Sequence, residues 1–374
     1  MNKKLISLDK TEVSMTEPDS PSSKHIEFLL PGLPAPIGGF KVIYQHAQTL
    51  TAFGYTVNVQ HVNPTLYRAG FIRKSLSYLN FIRRQYFYKW KTYPKQYGLQ
   101  FSVSNRIILK GKTNLLVVAS WQLLEQVMAD HQLRNENVMH ICQDFPGYMG
   151  PKEKVIESWM HMIPYLSVSR YLSREILRAN PSARVMYLPS IAGTSAITNV
   201  SDKKEKIFCV ISSGTYKNQP RLIELLNMLS GHIAIETFSR SPRPLSLNSS
   251  IKHFQNLSDD EIEMGYSEAK YSICYSEFEG FGLPAFDAMS NSCISFTTDN
   301  LGNRDYIQPT KNCIMLDGSD VMVDFRYILD VINTTLVNTL EIAKAGKLTC
   351  TTLVEKYDNH AVLDVYNSLL STKS

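Results

Sequence analysis

The stretch Tyr271–Ser290, YSICYSEFEGFGLPAFDAMS, changes its period twice and restricts the fold more than any other part of the chain. Tyr271–Tyr275 is short, apolar and aromatic with loose alternation, the pattern of a strand entering an interior. Ser276–Gly282 then packs two acids and two glycines around phenylalanines. Pro284 suits the first turn of a helix, where its missing N–H leaves no bond unmade, and AFDAMS is helix-compatible. A strand, a glycine turn and a Pro-started helix present backbone N–H groups at the carboxyl end of a sheet, a place where phosphates are held. The same residues also fit an ordinary strand-turn-helix corner with solvated acids, and composition alone does not choose.

A chain of 374 residues is too long for one ordinary core and suits two domains of roughly 150–200 residues. Hydrophobic content of 44% and charged content of 20% are those of a globular protein, and no run reaches the roughly 18 apolar residues of a membrane span. The start, MNKKLISLDKTEVSM, is basic but carries acids where an export signal needs an apolar core, so no signal peptide is expected. Six scattered Cys show no metal-ligand spacing and read mostly as buried thiols, which points to a reducing cytoplasm. The formal charge of +5 permits nucleic acid, anionic lipid or a phosphorylated substrate, and its location has to decide.

Residues 1–23, Pro- and Ser-rich, read as a flexible tail. HIEFLL at His25–Leu30 is the first strand, PGLPAPIGG a loop, about Phe40–Phe53 a helix closed by Gly54, and YTVNVQHV the next strand. That succession opens a doubly wound parallel sheet, with Gly38 and Gly39 in its first carboxyl-end loop but without a dinucleotide fingerprint. NLLVVA and Val138–Cys142 read as strands around a helix at Ser120–Ala129. Gln143 and Asp144 follow directly, Asp144 as a turn residue or a site carboxylate, and Ser169 either caps the next helix, the commoner role, or reaches the cleft. SDKKEK at 201–206 is the expected boundary, after which IFCVI at Ile207–Ile211 starts a second alternating set. Ser258 and Glu261 form a capping box on a helix within Asn256–Lys270. Asp299, Asn300, Asn303 and Arg304 either touch a donor or acceptor or, as in most polar loops, are solvated; residues 321–345 and 353–370 read as helices.

EGFGLPAFDAM at Glu279–Met289 resembles the acidic motif of glycosyltransferase family four, the retaining GT-B enzymes, with Asp287 where the family has a second Glu. The resemblance runs from about residue 25 to 370. It is strongest at 257–289 and weakest in 61–200. It implies an α/β fold of GT-B architecture, two Rossmann-like doubly wound domains facing a cleft: an acceptor-side domain at 24–200, a nucleotide-sugar domain at 201–352, and a terminal helix at 353–374 packing back on the first. It implies that Glu279 faces the donor sugar, that Gly280, Phe281, Gly282 and Leu283 face the diphosphate, and that Asp287 holds the ribose. Gly38 and Gly39 match the family's glycine loop near donor phosphates and acceptor. Gln143–Asp144 stands where many members have His-Asp; a Gln is no base but can bond a sugar hydroxyl. Lys217 fits the family's diphosphate lysine, while Ser212 or Ser213 stands where an Arg is expected; Arg221 either compensates or faces water.

Residues 71–97, FIRKSLSYLNFIRRQYFYKWKTYPKQY, interleave cations with rings. Such a segment lies on an anionic membrane or lipid-linked acceptor, packs as a helix with a basic side, or stacks RNA bases. No RNA-binding module surrounds it, which disfavours nucleic acid. The leading expectation is thus a cytoplasmic enzyme, peripheral to the membrane through 71–97. It would be a metal-independent retaining transferase that needs no cofactor and moves sugar from a nucleotide diphosphate sugar to a glycan or lipid-linked acceptor in surface polysaccharide or glycoconjugate synthesis. A GT-B phosphorylase or synthase-like enzyme and a non-catalytic GT-B binding subunit are the alternatives.

Overall fold

The computed structural model describes residues 24–63, 92–109, 112–133, 137–143, 145, 147, 150–191, 203–334 and 338–371. The tail at 1–23, most of the basic aromatic stretch (71–91) and Asp144 lie outside the described residues. The described residues fall into two compact units. One holds those before residue 193 together with those from Tyr357 on, and the other holds those between, through Lys356.

The first unit is a seven-stranded parallel sheet in the order β3-β2-β1-β4-β5-β6-β7. Its strands are β1 His25–Pro31, β2 Thr56–Val62, β3 Gln100–Ser104, β4 Leu115–Val118, β5 Val138–Cys142, β6 Pro164–Ser167 and β7 Arg184–Tyr187. β4 and β5 are buried at every position, as strands covered on both faces must be. Helix α1, Gly38–Ala52, turns Val42, Ile43, Ala47 and Leu50 inward. Both glycines therefore sit inside its first turn and not in the preceding loop, with Ile37 at the N-cap in extended backbone. Helix α2 is Trp121–Ala129, α3 Lys152–Ser158 and α4 Arg170–Ala179; Ser169 caps α4 by accepting from the Leu172 N–H at 3.2 Å.

The second unit is a six-stranded parallel sheet in the order β10-β9-β8-β11-β12-β13. It comprises β8 Lys204–Val210, α5 Gln219–Leu229, β9 Ala234–Ser239, β10 Lys252–Gln255, α6 Asp259–Glu268, β11 Ala269–Cys274, α7 Leu283–Ser290, β12 Ile294–Thr298, β13 Ile314–Leu316, α8 Val321–Asn333 and α9 Thr339–Lys356. The last helix, α10, is Asn359–Leu370 and belongs to the first unit. There Tyr366 meets Phe28 at 5.9 Å between ring centres, and Thr49 donates to Asn359 at 2.8 Å.

Three expectations are corrected. β8 begins inside SDKKEK, since Lys206 is only 7% exposed and its ammonium reaches Glu236 on β9 at 2.6 Å and Glu268 on α6 at 3.1 Å. Burial lowers the charged form of Lys206, yet the two carboxylates outweigh it and raise its pKa. Charged residues thus extend the strand because each has a counterion waiting. The expected helix at 321–345 ends at Asn333, and a separate helix, α9, starts at Thr339. The run at 353–370 breaks at Tyr357–Asp358, where the Asp358 carboxylate accepts from the His360 and Ala361 N–H groups and starts α10 afresh.

Candidate functional site

β11 runs into the turn Tyr275–Gly282, and α7 leaves it. Gly282 has φ +91, the left-handed region open to glycine, and Pro284 occupies the first turn of α7 as its lack of an N–H allows. Glu279 is 7% exposed, and its Oε1 accepts from the Lys217 ammonium at 2.5 Å. Lys217 comes from a single 3₁₀ turn, Thr215–Lys217, between β8 and α5. Burial works against the lysine's charge, but the facing Glu279 carboxylate overrides it and holds the ammonium pKa above its ordinary value. The two loops are also tied through their backbones, since the Glu277 N–H donates to the Tyr216 carbonyl at 2.9 Å. Lys217, Glu279, Ser212, Ser276, Cys274 and Pro284 line a shallow recess at the carboxyl ends of β8 and β11.

A second loop buttresses the turn from behind. Leu301 has φ 67 and ψ −46, and the Gly302 N–H donates to the Asn300 carbonyl at 2.8 Å: a strained γ-turn. It seats Gly302 so close that a Cβ there would meet the Glu279 carbonyl oxygen at 2.4 Å and Gly280 backbone at 2.7 Å. The Glu279 N–H donates to the Asn300 carbonyl at 3.0 Å, and the Tyr306 hydroxyl to the Gly282 carbonyl at 2.6 Å. This loop is solvated as expected only at Asp299 and Arg304. Asn300 and Asn303 are buried and exchange backbone-to-side-chain bonds of 3.0 and 3.3 Å; Asp299 and Arg304 pair at its surface. Gly302, Tyr306 and the Tyr216 carbonyl went unread in the sequence because their contacts are long-range; a Gly flanked by Asn was the one local signal.

Phe281 is buried against Phe286 and Tyr306, with ring centres 5.5 and 5.0 Å away, so it has only backbone to offer a ligand. Gly280 and Gly282 are backbone as well, and Leu283 is half-buried. Asp287 is half-buried on α7. Arg221 is exposed on α5 and donates to the Gly318 carbonyl at 2.7 Å, tying α5 to the loop after β13. That loop is held by Asp324, a 1% exposed carboxylate on α8 that accepts from the Asp317 and Gly318 N–H groups at 2.9 Å and from the Tyr275 hydroxyl.

In the first unit the structure brings Gly39 and Gln143 together. Gln143 Nε2 donates to the Gly39 carbonyl at 3.1 Å, joining the start of α1 to the end of β5. Among the described residues, no group of three or more His, Cys, Asp or Glu is placed to hold a metal ion, and no helix is long and apolar enough to cross a membrane.

Solved structures share this fold at low identity. Sucrose-phosphate synthase from Thermosynechococcus elongatus is 12% identical, with a TM-score of 0.67 over 94% of this chain and 100% of that one. Anabaena HepE, solved with UDP and glucose, is 11% identical with a TM-score of 0.67, over 93% and 100%. A Rickettsia africae glycosyltransferase is 12% identical with a TM-score of 0.61, over 94% and 99%. No curated protein sequence matches the chain. Two doubly wound parallel units of this kind make up the GT-B fold that these structures share. Within it, residues 236–338 match the family model described as glycosyl transferases group 1, and the chain carries a domain of that family.

Proposed function

We propose that the protein is a retaining glycosyltransferase that moves a sugar from a nucleotide diphosphate sugar to a glycan or lipid-linked acceptor. The observation that carries this reading is the pair of half-buried Lys217 and buried Glu279 at the mouth of the glycine turn, a cation and a carboxylate side by side at carboxyl strand ends. Lys217 and the backbone N–H groups of Gly280–Gly282 bear the charge that grows on the departing diphosphate. Glu279 accepts from donor-sugar hydroxyls, and Asp287 accepts from the ribose. The acceptor oxygen bonds to the anomeric carbon on the face that the diphosphate leaves, and its proton passes to the leaving phosphate oxygen. Such a step needs no separate base, which suits a chain with Gln143 where a His would titrate. HepE, of similar fold, holds UDP and glucose, which supports a uridine or related donor here.

The reading extends to the acceptor. Gly39 and Gln143 form the polar start of the first unit's site, with Asp144 beside them in sequence. The cations and rings of 71–97 bring the enzyme to an anionic membrane surface, on the cytoplasmic face where nucleotide sugars are made. The test is incubation with a panel of nucleotide sugars and lipid-linked or soluble glycans, with the new linkage read by NMR. Transfer with the donor's anomeric configuration kept supports the proposal; inversion, or phosphorolysis in place of transfer, overturns it.

A further inference from the structure

The lysine assigned to the diphosphate is bonded to a carboxylate. Lys217 and Glu279 have side chains only 19% and 9% exposed, so neither is satisfied by bulk water. Among the described residues, Lys217 is the cation that lines this recess. Arg221, the nearest alternative along the chain, is directed to the Gly318 carbonyl. A diphosphate entering the recess therefore meets a site of no net charge and competes with Glu279 for one ammonium. If the ammonium turns to the phosphate, a buried carboxylate loses its counterion; if it serves both, two anions crowd one cation.

A sugar changes the outcome. Its hydroxyl donors can take over Glu279 as Lys217 leaves it, so the carboxylate stays hydrogen-bonded. We infer that Glu279 is the specificity-determining residue by which the site favours a sugar-bearing donor over the bare nucleoside diphosphate, exchanging its bond to Lys217 for bonds to sugar hydroxyls. The inference rests on placing the donor diphosphate at Lys217. It gives product release a physical cause: once the sugar has gone, Glu279 reclaims the lysine and the nucleoside diphosphate is expelled.

The consequence runs opposite to the usual result of trimming a binding site. Removing the carboxylate charge leaves Lys217 free for phosphate, so the bare nucleoside diphosphate binds more tightly. The test is calorimetric titration of the full chain with UDP, GDP, ADP, CDP and dTDP, in wild type, Glu279→Gln and Glu279→Ala, with melting temperatures recorded to confirm folding. Either variant carries the test if the other does not fold. The expected result is a Kd about tenfold lower in the variants, the scale of one charge-assisted hydrogen bond. The gain should vanish when Lys217→Met is added. Unchanged or weaker binding in the variants, with wild type still binding, overturns the exchange and leaves the donor site standing. Absence of binding by every diphosphate in every protein overturns the donor site and the exchange with it.

Discussion

Gln143 and Gly39 fit one another so closely that a Cβ on residue 39 would lie 2.2 Å from Gln143 Oε1, while Gln143 Nε2 donates to the Gly39 carbonyl at 3.1 Å. The colliding atom is the end of a flexible side chain, so Gly39→Ala should cost little stability and instead push the Gln143 amide aside. The expected outcome is a melting temperature close to wild type with kcat/KM lowered on the order of ten- to hundredfold, the scale of a misplaced site group. Gln143→Ala should show a similar loss, and the two changes together should cost little more than either alone. Additive losses would show that the two residues act separately.

Gly302 makes the contrary forecast. Its neighbours are the backbone of Glu279 and Gly280, which cannot rotate away. Gly302→Ala should therefore destabilise the second unit by about 1–3 kcal/mol, as overpacking does, and weaken nucleotide binding by displacing the turn. Gly231→Ala, with nothing within 4 Å of the added carbon, is the control. Urea unfolding and nucleotide titration of both variants check this; equal behaviour of the two would remove the buttress.

Acid should loosen the first unit. His46, His61 and His140 are buried there, and burial lowers their pKa values from 6.5 to about 4, 3 and 3; a backbone bond at Gly32 partly offsets the effect at His61, and His161 adds to it at His140. Unfolding lets each bind a proton near pH 6.5 that the folded unit refuses. Their stabilising effect is full above pH 6.5, falls as pH drops, and levels off below the folded values. Each removes about 1.4 kcal/mol per pH unit across that window. His61→Gln, which retains a partner for the Tyr44 hydroxyl now 2.7 Å from His61, should reduce the slope by that amount in urea unfolding at pH 7, 6 and 5. An unaltered slope would mean that His61 takes up its proton in the folded state.

Membrane attachment is tested by liposome co-sedimentation. Each cation near an anionic surface contributes about 1 kcal/mol, less as salt rises. Neutralising Arg83, Arg84, Lys89 and Lys91 together should release the protein from anionic vesicles and leave nucleotide binding intact. Wild-type protein that stays in the supernatant at low salt would point to a soluble acceptor instead.

Local chemistry made some parts of this fold legible in advance. Ser258 and Glu261 form the expected capping box, with N–H bonds of 3.3 and 2.7 Å, because both halves of that motif lie within one turn. The corner at Gly282–Pro284 was readable for the same reason: φ requirements act on single residues. What lay beyond reach depends on partners far along the chain. Nothing near Lys206 announces Glu236 and Glu268, so the start of β8 was hidden in a charged run. The polar loop at 299–305 read as wet because its asparagines bond one another and buried backbone, which only the folded chain brings within reach. Nothing near Arg221 in the sequence chooses between a phosphate and water, and the structure gives it the Gly318 carbonyl.

In the proposed reaction Lys217, held at the glycine turn by Glu279, receives the donor's diphosphate. That role is tested most directly by titrating wild type and Lys217→Ala with a nucleoside diphosphate and with the matching nucleoside, at low and high salt. The substitution should weaken the diphosphate far more than the nucleoside, and the difference should shrink as salt screens the lysine. Equal losses for the two ligands would contradict it and place the diphosphate elsewhere.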